Sequence, residues 1–355
     1  MPQLHQHTPC ASGPFWDRSF CINSGRKLAD GSIAAAFALI LALLLVASTG
    51  HAARIKLPGG DIYEGEVVDG QRTGQGVYTW ANGNRYEGGF AANRLDGSGV
   101  YSWPDGRTYR GDFVADQRQG RGLLQWPNGN QYEGEFQAND MHGEGTLRWA
   151  NGDVYVGRFA AGERTGQGSF TWHTGEFYKG EFINGIPNGQ GQFTYPDGRE
   201  YQGAFEVGKK SGAGAFSWPN GNRYVGRFVN DAREGLGTFY WRDGTIYRGQ
   251  FAANKMHGYG VKAQQRSDQQ GNGRTLQRWN NGELQLNQAL VAVEHCRLSI
   301  DGEPWMFNAA TCINGLAHGQ GLASSLDGER IIVNGQFVLG EVISGDPQVL
   351  VAGDS

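Results

Sequence analysis

Residues 103–113 read Trp-Pro-Asp-Gly-Arg-Thr-Tyr-Arg-Gly-Asp-Phe, and this stretch predicts one β-hairpin. Pro104 has its φ angle fixed at about −65°, which suits the second position of a type I turn and excludes the mirror-image turn of two-residue hairpins. Gly106 supplies the left-handed residue that closes a three-residue loop with a glycine bulge. The loop places Tyr101 opposite Tyr109, so the turn type fixes the register.

The same pattern returns every 23 residues. A tyrosine begins each unit, and the unit continues as Tyr-x-Gly-x-Phe, Gly-x-Gly, four mostly apolar residues and usually an Asn-Gly or Asp-Gly turn. A fixed period of this length marks a repeat array. In the second unit the structural residues are Tyr86, Gly88, Phe90, Gly97 and Gly99. The nine tyrosines are Tyr63, Tyr86, Tyr109, Tyr132, Tyr155, Tyr178, Tyr201, Tyr224 and Tyr247.

Period-two alternation along the strands predicts one aromatic face and one polar face. Gly88 and its counterparts are expected to leave room for an aromatic ring against the backbone. The Gly-x-Gly pairs, such as Gly74 and Gly76, are expected to turn the chain between hairpins. The aromatic face carries the candidate binding residues, which are the turn tryptophans Trp80, Trp103, Trp126, Trp149, Trp172, Trp218 and Trp241.

The predicted architecture is all-β: an elongated single-layer antiparallel sheet of tandem β-hairpins, preceded by one apolar segment. We expect nine repeats over residues 54–260. The period breaks after Gly260, and residues 261–279 are assigned to a polar insertion in a tenth hairpin. Residues 280–355 carry degenerate repeats, which are expected to form a C-terminal cap because a repeat array needs specialised ends.

The repeated motif resembles the MORN repeat family. Eight units match its signature of Tyr-x-Gly-x-Phe with a following Gly-x-Gly and Asp-Gly, and the first unit has Val67 in the phenylalanine position. Members of this family are generally scaffolds that mediate protein contact, dimerisation or membrane attachment. The resemblance therefore implies a non-catalytic scaffold for protein–protein interaction.

An apolar run near the amino end predicts export. Ile33 to Ala47 is uninterrupted, and Arg26 and Lys27 precede it. Fifteen residues is the length of a signal peptide. Extending the run over residues 31–50 gives twenty uncharged residues, which is long enough for an uncleaved membrane anchor.

We therefore assign residues 1–32 to an N-terminal tail and residues 33–53 to a signal peptide or signal anchor. In both cases the basic flank keeps the amino end inside, so the array is expected in the periplasm or at the extracytoplasmic face of the membrane. We favour cleavage after Ala52, and the single-pass anchor, a transmembrane helix, is the alternative.

Two cysteines lie in the part expected to be exported. An oxidising compartment favours pairing, and we predict a disulfide between Cys296 and Cys312. The degenerate repeat alignment argues against it, because it places Cys296 on the polar side and Cys312 in a phenylalanine position on the aromatic side, which points the thiols apart.

The residue types do not predict catalysis. The Gly-x-Gly pairs lie between strands, whereas a phosphate-binding loop needs a strand before it and a helix after it. His142, His257 and His318 share one position of the repeat that carries Thr, Asp, Gln or Asn elsewhere, which indicates a variable surface rather than a metal site. With a net charge of −4, the chain lacks the electrostatic attraction that binding to nucleic acid requires. We expect no enzyme activity, cofactor, metal, small-molecule substrate or nucleic acid.

The aromatic face supports two main hypotheses. The first is a scaffold that binds another exported or membrane protein, or a second copy of itself. The alternative is an envelope glycan-binding module, because one tryptophan per hairpin at roughly 9.6 Å matches the disaccharide repeat of a β-1,4-linked glycan. Association with membrane lipid is a lesser alternative.

Overall fold

The computed structural model describes residues 51–264, 273–290, 297–314 and 316–350. Every regular element in these ranges is a β-strand, which confirms the all-β prediction. None of the described segments forms a helix with the length and hydrophobicity needed to cross a bilayer. The predicted tail, and the apolar segment up to residue 50, lie outside the described residues.

The first sheet contains twenty-one strands, and each pairs antiparallel with the next along the chain. It is the predicted hairpin array. Its strands are β1 (His51–Lys56), β2 (Ile62–Val68), β3 (Gln71–Thr79), β4 (Arg85–Ala91), β5 (Arg94–Ser102), β6 (Thr108–Val114), β7 (Gln117–Gln125), β8 (Gln131–Gln137), β9 (Asp140–Arg148), β10 (Val154–Ala160), β11 (Glu163–Thr171), β12 (Phe177–Ile183), β13 (Ile186–Thr194), β14 (Glu200–Glu206), β15 (Lys209–Ser217), β16 (Arg223–Val229), β17 (Ala232–Tyr240), β18 (Thr245–Ala252), β19 (Lys255–Gln264), β20 (Arg274–Asn280) and β21 (Glu283–Leu290).

The hairpin turns have the predicted geometry. Tyr101 pairs with Tyr109 across β5 and β6. Trp103 donates its backbone N–H to the carbonyl of Arg107 at 3.0 Å, and Gly106 adopts φ +90°. Local turn chemistry therefore sets the register that places the aromatic residues on one face.

The Gly-x-Gly prediction was wrong, because these glycines do not turn the chain between hairpins. That turn lies between β4 and β5 at Ala92 and Asn93, whose φ angles of 47° and 69° form a tight mirror-image turn without glycine. Gly97, at φ +83°, lies within a β-bulge of β5, where Asp96, Gly97 and Ser98 face the single residue Gly89 of β4. A bulge needs a left-handed residue, and glycine adopts that conformation without steric cost.

The second glycine of each pair makes room for a ring, as Gly88 and its counterparts were predicted to do. The fully buried Tyr86 ring lies against Gly99, where an added Cβ would stand 2.4 Å from the ring. Phe90 and Phe113 cover the ring nearly perpendicularly at 5.3 and 5.0 Å between centroids. The Tyr86 hydroxyl donates to the Gly89 carbonyl at 3.0 Å. One face of a single sheet thus builds its own core.

The glycines beneath the rings form a continuous row across β2 to β19, each paired with the next. Because all of them lack a Cβ, one tyrosine ring per hairpin fits onto this row. The row is Gly65, Gly76, Gly88, Gly99, Gly111, Gly122, Gly134, Gly145, Gly157, Gly168, Gly180, Gly191, Gly203, Gly214, Gly226, Gly237, Gly249 and Gly260.

The segment assigned to a polar insertion is partly strand. Residues 261–264 belong to β19, and β20 begins at Arg274 and pairs with β19. Residues 265–272 lie outside the described part of the chain. The first sheet therefore continues through β21, one hairpin beyond the regular repeats.

A second antiparallel sheet follows, and it packs on the polar face at the end of the first. Val261 and Leu276 of the first sheet contact Met306 of the second in one buried cluster. The Arg248 guanidinium donates to the Asp327 carbonyl at 2.9 Å. The strands of the second sheet are β22 (Leu298–Ile300), β23 (Glu303–Ile313), β24 (Leu316–Ser325), β25 (Arg330–Val338), β26 (Glu341–Ser344) and β27 (Gln348–Val349). The degenerate C-terminal region thus supplies β21 and this covering sheet.

Candidate functional site

The turn tryptophans are half-buried and extend the aromatic core outward. Trp172 lies 4.4 Å from Phe170 and 5.5 Å from Phe193 between ring centroids, and such contacts repeat from hairpin to hairpin. Trp126 packs on the same core where Leu124 replaces an aromatic residue. One ladder contains Tyr78, Trp80, Tyr101 and Trp103; a second contains Trp149, Phe170, Trp172, Phe193, Tyr195, Phe216, Trp218, Phe239 and Trp241.

A column of cations lies over these rings, and the sequence reasoning missed it. The Arg118 guanidinium lies 5.6 Å from the Trp103 ring, 5.5 Å from Tyr109 and 5.4 Å from Phe136. Arg164 makes the equivalent contacts, including 5.4 Å to the Trp149 ring. We use the name cation column for the residues at this repeat position: Arg72, Leu95, Arg118, Met141, Arg164, Pro187, Lys210, Arg233 and Met256. We use the name aromatic groove for the surface made by the ladders and the cation column.

The arginines of the column are partly desolvated and not neutralised. Burial among the rings lowers the pKa of the Arg118, Arg164 and Arg233 guanidiniums from its ordinary value. In the described ranges, no carboxylate oxygen lies within 4.0 Å of these three groups or of Arg72. The Arg118 Nη2 atom donates to the Asn139 carbonyl at 2.6 Å. These groups keep positive charge and unused N–H donors at the groove surface.

Lys210 differs from the arginines. Its Nζ atom lies 2.9 Å from the Asp231 Oδ1 atom and donates to the Tyr195 hydroxyl at 2.9 Å. Asp231, Tyr195 and Trp218 line a cleft of about 240 Å³ that reaches Arg233. On the other side of Arg233, a cleft of about 270 Å³ leads to Lys255 and Trp279. The groove is therefore indented between hairpins, with cations and rings lining the same clefts.

The polar face offers wider but different clefts. One of about 570 Å³ is lined by the glycine row, Arg121, Glu133 and Glu144. Another, of about 660 Å³, is lined by Glu87, Arg110 and backbone. Charges of both signs alternate there over bare backbone, so we take the aromatic groove as the candidate site. Across the described residues, no group of three or more His, Cys, Asp or Glu side chains is placed to hold a metal ion.

Cys312 lies in β23 with an exposed side chain, and it is disulfide-bonded. Cys296 lies outside the described residues. The Cys296–Cys312 pairing therefore stays a prediction.

The chain matches a known protein family. The model for the MORN repeat matches nine consecutive segments that together cover more than half of the chain: residues 63–85, 86–106, 109–131, 132–154, 155–177, 178–198, 201–223, 224–246 and 247–263. No curated protein sequence matches the chain.

Several solved structures are distantly similar to this chain. The TCP domain of Drosophila melanogaster SAS-4, in complex with a proline-rich motif of Ana2, is 11% identical, with a TM-score of 0.29 and coverage of 50% of this chain and 90% of that one. The TCP10 domain of Danio rerio CPAP, in complex with a STIL peptide, is 12% identical, with a TM-score of 0.24 and coverage of 67% and 99%. Virginiamycin B lyase from Staphylococcus aureus is 10% identical, with a TM-score of 0.13 and coverage of 73% and 92%. TM-scores this low carry no functional argument.

Proposed function

This chain belongs to the MORN repeat family, and on that premise we propose that it is a non-catalytic scaffold that holds a protein partner in its aromatic groove. The observation that carries the proposal is the half-buried aromatic ladder. The second sheet packs on the polar face, so its core cluster leaves the ladder uncovered. Continuous aromatic clusters that stay partly exposed mark interaction surfaces, and Trp, Tyr and Arg are the residues that dominate protein interfaces.

The geometry of the ladder favours a protein over a glycan. Sugar rings stack on a free, flat aromatic face, whereas neighbouring rings in the longer ladder are inclined at 41–55° to one another. The Arg118, Arg164 and Arg233 guanidiniums lie over Trp103, Trp149 and Trp218 respectively. Partner side chains fit such an uneven surface better than a regular polysaccharide does.

The proposed location is outside the cytosol, in the periplasm or at the extracytoplasmic face of the membrane. The apolar run from Ile33 to Ala47, behind Arg26 and Lys27, supports export. Disulfide-bonded Cys312 also supports it, because such bonds persist in oxidising compartments. Fractionation of cells that produce the full chain tests this location: a soluble fragment beginning near Ala53 supports cleavage, a membrane-bound full chain supports the anchor, and recovery in the cytosol contradicts both.

Affinity capture from solubilised envelope tests the scaffold function. The full chain is compared with a ladder variant, Trp172→Ala with Trp218→Ala, and with a polar-face control, Val156→Ser with Val225→Ser, whose side chains are exposed. We expect wild type and control to retain a common protein that the ladder variant loses, with circular dichroism showing that all three are folded. Identical recoveries from all three proteins, or no partner and no dimer with wild type, would contradict the proposal. Tryptophan fluorescence with glycan fragments and pelleting with lipid vesicles then test the two alternatives.

A further inference from the structure

The basic residues of the cation column occupy every second hairpin over most of the array. Arg72, Arg118, Arg164 and Lys210 follow one another at intervals of 46 residues. The units between them carry Leu95, Met141 and Pro187 at the same position, and Arg233 then follows Lys210 directly. Adjacent strands lie about 4.8 Å apart, so four strands place successive cations about 19 Å apart, with an apolar residue halfway between.

The cations are not needed to join the hairpins. The backbone carbonyl of Arg72 accepts a hydrogen bond from the N–H of Asn93, in the turn of the next hairpin, at 3.1 Å. The carbonyl of Leu95 accepts the equivalent bond from Asp116 at 3.0 Å, and that of Pro187 does so at 2.9 Å. Arg72, Arg118 and Arg233 also donate a side-chain hydrogen bond to a carbonyl in the turn of the next hairpin. Since the apolar units are joined without such a bond, the fold does not require a cation in every second unit.

The groove concentrates cations without a direct carboxylate partner, although the chain is net negative. The Arg118 and Arg164 guanidiniums lack a carboxylate partner in the described residues, and each guanidinium has five N–H donors. Lys255, which lines a groove cleft, and Lys262, 5.5 Å above the Trp241 ring, add charge at the C-terminal end. The whole chain has a net charge of −4. A partly desolvated cation with free donors binds a carboxylate more strongly than a fully hydrated one does.

We infer that the aromatic groove receives an acidic and partly apolar segment of a protein partner, which lies across the strands. Its carboxylates meet Arg72, Arg118 and Arg164, and its apolar side chains meet Met141 and the half-buried turn tryptophans. An extended chain advances about 3.3 Å per residue, so the cation spacing corresponds to one acidic residue in about every six. This inference rests on the proposed function, since the same groove is used.

Other polyanions fit the spacing less well. A nucleic acid strand carries a phosphate about every 3.4 Å, which is far denser than one cation per 19 Å or so. A lipid surface attracts cations that project from the protein, whereas the Arg118 and Arg164 guanidiniums lie among aromatic rings. Alternating charge and apolar contact is the pattern of an amphipathic polypeptide.

A binding titration tests the inference directly. The probe is a fluorescent peptide of about 20 residues with glutamate at every sixth position, leucine two and four residues after each glutamate, so that both lie on the same side of an extended chain, and serine elsewhere. It is compared with the same peptide carrying glutamine in place of glutamate. The proteins are wild type, the groove variant Arg118→Gln with Arg164→Gln, and a polar-face control with the same charge change, Arg121→Gln with Arg227→Gln. Fluorescence anisotropy is measured at low and high salt, after circular dichroism has shown that each protein is folded.

We expect wild type and control to bind the glutamate peptide equally, and the groove variant to bind it about tenfold more weakly, because two charge-assisted hydrogen bonds are lost. High salt and the glutamine peptide are expected to weaken binding similarly. No binding by wild type, equal binding by the groove variant, or equal binding of the two peptides overturns the inference. Tighter binding to vesicles rich in phosphatidylserine, with the same dependence on Arg118 and Arg164, assigns the groove to lipid instead.

Affinity capture distinguishes failure of this inference from failure of the proposed scaffold function. If the groove variant retains the partner that the ladder variant Trp172→Ala with Trp218→Ala loses, the scaffold function stands and the acidic segment is wrong. If neither variant loses it, both fail. Loss from the groove variant, with retention by the polar-face control, supports both.

Discussion

The ring of Tyr109 lies so close to Gly122 that a Cβ added to this glycine would stand 2.4 Å from the Tyr109 Cε2 atom. Gly122→Ala is therefore expected to force the ring out of its buried position and to destabilise the array by about 3 kcal/mol, the upper range for overpacking. Urea denaturation followed by tryptophan fluorescence measures the loss. Arg121→Ala, which changes the exposed neighbour on the polar face, is the control and is expected to cost less than about 0.5 kcal/mol. Equal effects of the two substitutions would show that the ring tolerates a methyl group there.

Two tyrosines of the same repeat position differ in their hydroxyl partners, which gives a matched pair of variants. The Tyr132 hydroxyl donates to the Glu135 carbonyl at 2.8 Å, whereas the buried Tyr247 hydroxyl has no partner among the described residues. Tyr132→Phe should cost about 1 kcal/mol, because a buried hydrogen bond is lost and a carbonyl acceptor is left exposed to apolar surroundings. Tyr247→Phe should be neutral or slightly stabilising. Denaturant midpoints of both variants check this, and a greater loss at Tyr247 than at Tyr132 contradicts it.

Alkaline pH is expected to unfold the array. Burial raises the pKa of Tyr86, Tyr109 and Tyr155 from the ordinary 10 to about 12. The folded state thus favours the neutral phenol, so its stabilising contribution is complete below pH 10 and is lost as pH rises toward 12. Between pH 8 and 12, the urea midpoint should fall and the tyrosinate absorbance should rise over the same interval. Tyrosine ionisation at pH 10 in a protein that stays folded would refute this.

Val207 is a β-branched residue in the left-handed region, at φ +47°, where neighbouring repeats have Asn184 at 48° and Asn230 at 47°. Its side chain is 67% exposed, so packing does not compensate for the steric cost. Val207→Asn should therefore stabilise the protein by about 1 kcal/mol. Val229→Asn, in strand β16, serves as control and should bring no gain. A higher unfolding midpoint for the first variant alone is the expected result, and a lower one would refute it.

The local rules of the turn were enough to predict the hairpins. Pro104 and Gly106 define a loop whose register then places Tyr101 opposite Tyr109, and the structure has that pairing. The Gly-x-Gly error has a physical origin, because left-handed glycines suit a bulge as well as a turn. The sterically tight contact between Gly99 and the Tyr86 ring, which keeps Gly99 inside a strand, is a tertiary contact that no local rule contains.

The cation column was missed because the Gly-x-Gly pairs were expected to turn the chain, which left Arg72 outside the predicted strands. Gly74 adopts φ +59°, and a Cβ on it would meet the Glu66 carboxylate, while Arg72, two residues earlier, lies over the Tyr78 ring at 4.6 Å. The bulge adds two residues to β3, so it disturbs the alternation at Gly74 and restores it at Arg72, which pairs with Val67. The alternation of Arg and apolar residues at this position was visible in the sequence, but its meaning depended on the bulge.

The covering sheet had a sequence signal as well. One polar-face position becomes apolar in the last repeats, at Leu236 and Tyr259, which both pack in the cluster shared with the second sheet. That change indicates a covered surface. It does not indicate which later segment covers it, because the degenerate repeats can extend the first sheet or fold apart from it.

From Tyr86 to Tyr224, each repeat tyrosine ring touches the phenylalanine of its own hairpin and that of the next, as Tyr132 does with Phe136 and Phe159. No residue in such a chain of neighbours depends on how many units the protein possesses. Duplication or deletion of whole 23-residue segments is therefore an evolutionary step that leaves every remaining contact as it was. Such an event is visible only in the alternation of basic and apolar residues along the cation column. Loss of two neighbouring units preserves this alternation, whereas loss of one apolar unit places two cations in adjacent units, as at Lys210 and Arg233.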